Sequence, residues 1–246
     1  MSPISLDAAV APDCNSSGSL DVGNVTQAQV AGLIDGLPYY FVVKSYNASR
    51  MLSGPSVEVS RRVGIPYSVR GDFTGDFGAD VGVFRPSTGT WYVSGLSAVA
   101  FGGDGDVPAI GDYDGDGRMD IAVFRPTTGA WYIVQSRTWS VISYTWGGCG
   151  DIPVPGDYDG DGKTDVAIFR PTTGTWYIVN SGSAAGTSMV FGGAGDIAVP
   201  GDYDRDGRTD VAVFRPSSGS WFIVNSSTFG VSSLVFGGAG DVPVIK

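Results

Sequence analysis

Over roughly the last three quarters of the chain, apolar residues come in short unbroken runs. Val166-Ala167-Ile168-Phe169 and Trp176-Tyr177-Ile178-Val179 are apolar at consecutive positions, the pattern of strands covered on both faces. The runs are rich in β-branched and aromatic residues and are bounded by Pro and Gly, which sets their ends. They also recur. Lining the chain up on the string GDYDGDGKTD at residues 156–165 places equivalent loops at Gly71, Gly111, Gly156 and Gly201, 40 to 45 residues apart. Each repeat reads as an approach strand, the loop, a second strand (VAIFRP), a turn (TTG), a third strand (TWYIVN), a variable polar stretch and a fourth strand ending in FGG. Four short strands in a repeat of this length predict an all-β fold of four β-propeller-type blades, stacked so that neighbours cover each sheet. A β-helix needs a much shorter repeat.

The loop between the first two strands carries the chemistry. Asp157, Asp159, Asp161 and Asp165 stand at positions 1, 3, 5 and 9. So many carboxylates in so few residues repel one another unless a cation sits among them, and Ca2+ takes six to eight oxygen ligands from such a set. The Lys163 carbonyl is the natural ligand at position 7, and Gly160 and Gly162 permit the backbone turns that point oxygens inward. An EF-hand closes on a Glu at position 12 between helices; this loop closes at 9 and runs into a strand. A dockerin-like module shares the spacing but needs a following helix, which VAVFRPSSG opposes with its Pro and Gly.

The string FGGxGDxPVxGDYDGDGxxDxAVFRPxxGxWYI resembles the FG-GAP or VCBS repeats of bacterial surface and secreted proteins, related to the blades of the integrin alpha-subunit propeller. The resemblance spans residues 63–246. It implies Ca2+ bound by Asp112, Asp114, Asp116 and Asp120; by Asp157, Asp159, Asp161 and Asp165; and by Asp202, Asp204, Asp206 and Asp210. The first copy, DFTGDFGAD, has Thr74 in place of an Asp and keeps Asp72, Asp76 and Asp80, which implies a weaker site.

Residues 1–62 differ, with few charges, many Ser, Asn and Val, and no calcium loop. The stretch VAGLIDGLPYYFVVKSYNASRMLSGPSVEVS resembles the second half of a fibronectin type III domain. That resemblance implies a tyrosine corner at Tyr39 or Tyr40, a long strand in FVVKSYNAS, a last strand in SGPSVEVS, and a partial sandwich whose early strands are missing.

Net charge is −10, and 15 of the 25 acidic residues lie in the four loops, so the acidity belongs to the expected metal sites. No basic stripe is present to meet nucleic acid. No run is long enough to cross a bilayer, and the first twenty residues lack the basic start and apolar core of a signal peptide. Cys14 and Cys149, the only cysteines, leave either one bridge or two free thiols open. The chain has no histidine, the commonest general base and zinc ligand, and calcium accounts for its carboxylate clusters. The expectation is therefore that it is not an enzyme and has no catalytic residues.

Several other motifs carry a plain structural alternative. Arg70-Gly71-Asp72 is an RGD triplet, but Gly71 and Asp72 are the ordinary start of a repeat. Trp91, Trp131, Trp176 and Trp221 recur once per repeat, as packing residues or as sugar platforms; Trp139 and Trp146 read as lying outside that register, in reach of a ligand or neighbour. Arg85, Arg125, Arg170 and Arg215 precede prolines, while Asp106, Asp151, Asp196 and Asp241 recur in FGGxGD turns, which suggests one structural ion pair per blade. Asn15, Asn24, Asn47 and Asn225 begin N-x-Ser/Thr sequons. The expected function is an extracellular or cell-surface, calcium-binding structural or adhesion protein, with a carbohydrate-binding lectin as the alternative. The expected partner is a second copy of the chain, in a self-assembled filament, or another surface protein or glycan. The edge of the N-terminal segment and the C-terminal DVPVIK are the strands that would pair.

Overall fold

The computed structural model describes residues 4–10, 18–23, 38–47, 49, 51, 53–54, 59–62 and 71–244. The chain forms two compact units, Met1–Pro66 and Tyr67–Lys246. Among the described residues no helix is long and apolar enough to cross a membrane.

The first unit contains β1 (Ile4–Val10), β2 (Gly18–Gly23), β3 (Pro38–Ser45) and β4 (Val59–Arg62). They make one antiparallel sheet in the order β2-β1-β3-β4. The fibronectin-like expectation is not supported. A sandwich of that kind needs two facing sheets, whereas the described residues form one. Strands also precede β3, where early strands were expected to be missing, and Tyr39 and Tyr40 lie inside β3.

The second unit is a succession of antiparallel sheets. The first holds β5 (Gly82–Arg85), β6 (Thr90–Val93) and β7 (Val99–Ala100). The second holds β8 (Val107–Pro108), β9 (Ile121–Arg125), β10 (Ala130–Val134) and β11 (Val141–Thr145). The third holds β12 (Ile152–Pro153), β13 (Val166–Arg170), β14 (Thr175–Val179) and β15 (Gly186–Val190). The fourth holds β16 (Ile197–Ala198), β17 (Val211–Arg215), β18 (Ser220–Val224) and β19 (Val231–Val235). The four-stranded sheets are meanders, with strands paired in chain order, and the chain is all-β.

Side-chain packing explains the unbroken apolar runs. In the second and third sheets one face of each middle strand meets the preceding sheet and the other meets the following one. Phe73, Trp91 and Val93 of the first repeat cluster with Ile121 and Val123 of the second. Phe124, Trp131 and Ile133 of the second cluster with Val166 and Ile168 of the third, and Phe169, Trp176 and Ile178 of the third with Val211 and Val213 of the fourth. The recurring tryptophans are thus packing residues. Each indole Nε1 donates to the carbonyl that opens the GG turn of its own repeat, as Trp176 does to Phe191 at 2.9 Å. Trp146 corrects the expectation that it lies out of register: it stands where Phe101, Phe191 and Phe236 stand, packs into the second core cluster and donates from Nε1 to the Tyr177 carbonyl of the next sheet. Trp139 is in register too. With Ala184 and Phe229 it occupies the left-handed residue of the hairpin linking the third and fourth strands, with its side chain exposed.

Candidate calcium loops

The suggested ion pairs are present in three repeats. Arg125 forks onto Asp106, Arg170 onto Asp151 and Arg215 onto Asp196, each with two hydrogen bonds of 2.8–2.9 Å. Each aspartate is buried beside its approach strand, and each guanidinium covers the ring of Tyr132, Tyr177 or Phe222. This pairing fixes where the approach strand enters, and so where the loop begins.

From there the second to fourth loops are built alike. The position-2 tyrosine pins the loop to the approach strand, Tyr113 donating to the Ala109 carbonyl at 2.6 Å and Tyr158 to that of Val154 at 2.8 Å. The position-1 carboxylate folds the turn around itself: Asp157 accepts from the amides of Gly160 and Gly162. The closing carboxylate, Asp165, accepts from the amides of Tyr158 and Ser181. A serine after the third strand completes the frame. The Ser136, Ser181 and Ser226 amides bond the closing aspartates, and their hydroxyls bond Asp116, Asp161 and Asp206. Sequence reasoning passed over these serines, although one follows the third strand in every repeat, Ser94 included.

This frame gathers carboxylate oxygens into three groups, Asp112 with Asp114 and Asp120, Asp157 with Asp159 and Asp165, and Asp202 with Asp204 and Asp206, each within 4.8 Å. Asp116 and Asp161 stand apart from the first two groups, and Asp210, though buried, from the third. Asp72, Asp76 and Asp80 form no such group. Asp72 is fully buried and accepts from the Gly75 and Phe77 amides, which removes the RGD carboxylate from the surface; Arg70 lies outside the described residues. At position 3 of this loop the Thr74 hydroxyl is buried without a hydrogen-bond partner.

Burial dominates the electrostatics. It pushes the Asp120 and Asp165 carboxyls up to about 6, with nearby aspartates adding to the rise and the serine and tyrosine amides opposing it. Asp112 and Asp157 are raised for the same first reason. Basic side chains reach the loops from two sides: Arg137 of the second repeat donates to the Gly115 carbonyl of its own loop at 3.2 Å, and Lys163 and Arg208 come from the next repeat. A Cβ on Gly115 would meet the Lys163 side chain at 3.0 Å, and one on Gly160 would meet Arg208 at 2.7 Å. Position 4 stands at positive φ, 74° at Gly115 and 78° at Gly160, which suits glycine, and the basic residue lies across it. Cys149 is exposed; Cys14, Asn15 and Asn24 lie outside the described residues.

Residues 112–168 and 157–213 each match the model of the FG-GAP-like repeat. No curated protein matches the chain. Among solved structures, a streptogramin B lyase aligns at 8% identity and TM-score 0.41, over 80% of this chain and 64% of its own. A catalytically inactive virginiamycin B lyase from Staphylococcus aureus, with quinupristin, aligns at 8% identity and TM-score 0.47, over 83% of this chain and 68% of its own. The chain thus spans about two thirds of the length of those proteins. Both carry the name of an enzyme, so the expectation that the chain is not an enzyme is withdrawn. At this identity the likeness brings no activity or substrate with it.

Proposed function

We propose that the second unit is a calcium-stabilised, propeller-type scaffold that works outside the cell or at its surface as a structural or adhesion module. The observation behind this is the threefold recurrence of one loop frame that gathers three carboxylates, in the second and third repeats with two of the three buried. The donor set fits the ion. All its members are hard oxygens, and in those repeats burial raises the pKa of Asp112, Asp120, Asp157 and Asp165, the cost that a divalent cation among them would offset. Asp112, Asp114 and Asp120, Asp157, Asp159 and Asp165, and Asp202, Asp204 and Asp206 would hold the ions, with Asp116, Asp161 and Asp210 completing or bracing the shell. In the first loop Asp72, Thr74, Asp76 and Asp80 would form the weaker site. Bound Ca2+ supplies cross-links, not chemistry: it ties the approach strand to the second strand in each repeat.

Calorimetric titration of chelator-treated protein with calcium tests the reading. Three tight sites and a melting temperature that rises with calcium concentration are expected; no heat and an unchanged melt would sink it. A carbohydrate-binding role is the second reading, favoured by Trp139 and Phe229, aromatic side chains exposed on equivalent hairpin turns. A glycan array on wild type and on Trp139→Ala with Phe229→Ala decides it.

A further inference from the structure

We propose that the fourth sheet and the strand-like segment Asp241–Val244 receive the first sheet of a second copy, rebuilding between molecules the junction that joins consecutive repeats within one. Four mismatches at the two ends of the second unit are complementary.

The first is charge. Arg85 is the repeat equivalent of Arg125, Arg170 and Arg215, yet among the described residues it has no carboxylate partner and bonds the Tyr92 hydroxyl. Pro66 stands nineteen residues before it, where the other repeats have the paired aspartate. Asp241 is the reverse case. It is held in the same turn as Asp106, Asp151 and Asp196, its amide donating to the Gly238 carbonyl, and among the described residues no arginine pairs with it.

The second is shape at the loops. Inside the chain, a position-4 glycine accepts the basic position-7 residue of the next repeat, Gly115 under Lys163 and Gly160 under Arg208. At the ends the roles are exchanged. Position 4 of the last loop is Arg205, in the left-handed region at φ 64°, and position 7 of the first loop is Gly78. The bulk that would collide at an internal junction fits at this one.

The third is the apolar face. Val81 and Val83 are 79% and 60% exposed, whereas their equivalents Val166 and Ile168 are 6% and 0% exposed against the preceding sheet. The fourth lies on the other end. Phe236 is exposed where Phe101, Trp146 and Phe191 are half-buried against the following sheet, and Val244 is 95% exposed where Val199 is fully buried. In the register shared by the internal sheets, Val242 lies opposite Phe84 and Pro243 opposite Val83, as Val107 lies opposite Phe124 and Pro108 opposite Val123. Asp241 then meets Arg85. The occupant is a second copy because the two ends match each other in charge, loop shape and apolar face, and because the contact repeats an interface the chain already forms three times. Such a contact is head-to-tail, and it closes a ring or extends a filament.

The test is sedimentation of the full chain across a concentration range in millimolar calcium, so that loss of metal is not confused with loss of association. Wild type is expected to associate. Asp241→Arg and Arg85→Asp should each weaken association by about tenfold or more. Their equimolar mixture should restore it, since the arginine introduced into one variant then faces the aspartate introduced into the other. Gly78→Arg, which leaves the charges of that pair alone, should block association by colliding with Arg205. Circular dichroism and melting of each variant establish that it is folded. A strictly monomeric wild type, folded single variants that associate like wild type, or a mixture without rescue would overturn the proposal. So would a double variant that regains stability as a monomer, the mark of closure within one molecule.

Discussion

The amide of Thr164 donates to the carbonyl of Asp112 at 2.7 Å, tying the residue before the closing aspartate of one loop to the first aspartate of the loop before it. Thr209 makes the same bond to Asp157, and Met119 to Asp72. The loops are thus joined in series through the residues that begin and end them.

Metal binding should register this linkage. Asp159→Ala is expected to remove one of three tight calcium sites by calorimetry and to weaken its neighbours by a smaller factor, while Asp76→Ala leaves all three. Full independence of the remaining sites would show that the Thr209 bond transmits nothing.

Without calcium, stability should fall as pH rises through the acid range. Asp120 and Asp165 titrate near 6 when folded, against 3.8 for an ordinary aspartate. Between those values the folded chain holds protons that the unfolded chain has lost, so their contribution is present below about 4 and is lost by about 6. With calcium bound the slope should reverse, because protons compete with the ion. Urea titrations at pH 4.5 and 7, with chelator and with calcium, check both signs.

Arg170→Met leaves the buried Asp151 carboxylate without its fork. A loss of about 2 kcal/mol is expected, below the 3–5 kcal/mol of a fully buried pair because the guanidinium is partly in water. Arg85→Met, with no carboxylate to strand, should cost the monomer little. Equal losses from the two would remove the ion pair as the cause.

Gly174 sits at φ 63° with the Gly192 carbonyl packed against it, so a Cβ there would meet backbone atoms that cannot swing aside; Gly193 opens on empty space. Gly174→Ala should therefore destabilise by at least about 2 kcal/mol from strain and overlap together, and Gly193→Ala by much less. Comparable denaturation midpoints would contradict that packing.

Much of the second unit could be read before its structure, because each repeat states its strands, turn and loop in residues with narrow conformational meaning. The Arg-Pro and FGGxGD strings even indicated the ion pairs. Trp146 is hard to place from sequence because a tryptophan there replaces the phenylalanine of the other repeats, Phe101, Phe191 and Phe236, which hides the fact that TWGG and VFGG occupy the same place. The division of labour among the aspartates was invisible for a different reason. The carboxylates at positions 5 and 9 are held by Ser136, Ser181 and Ser226, contributed by a hairpin sixteen residues past the closing aspartate. The N-terminal sheet was mistaken for half a sandwich because either arrangement asks the sequence for one buried face and a few short strands.

Three core clusters each join one sheet only to the next and a fourth stays within the last sheet, and this gives the second unit the thermodynamics of a row. Cooperativity passes from neighbour to neighbour, so amide protection should peak in β9, β10, β13 and β14, which are clasped on both faces. It should decline toward the β5–β6 and β18–β19 hairpins, where opening breaks one junction instead of two.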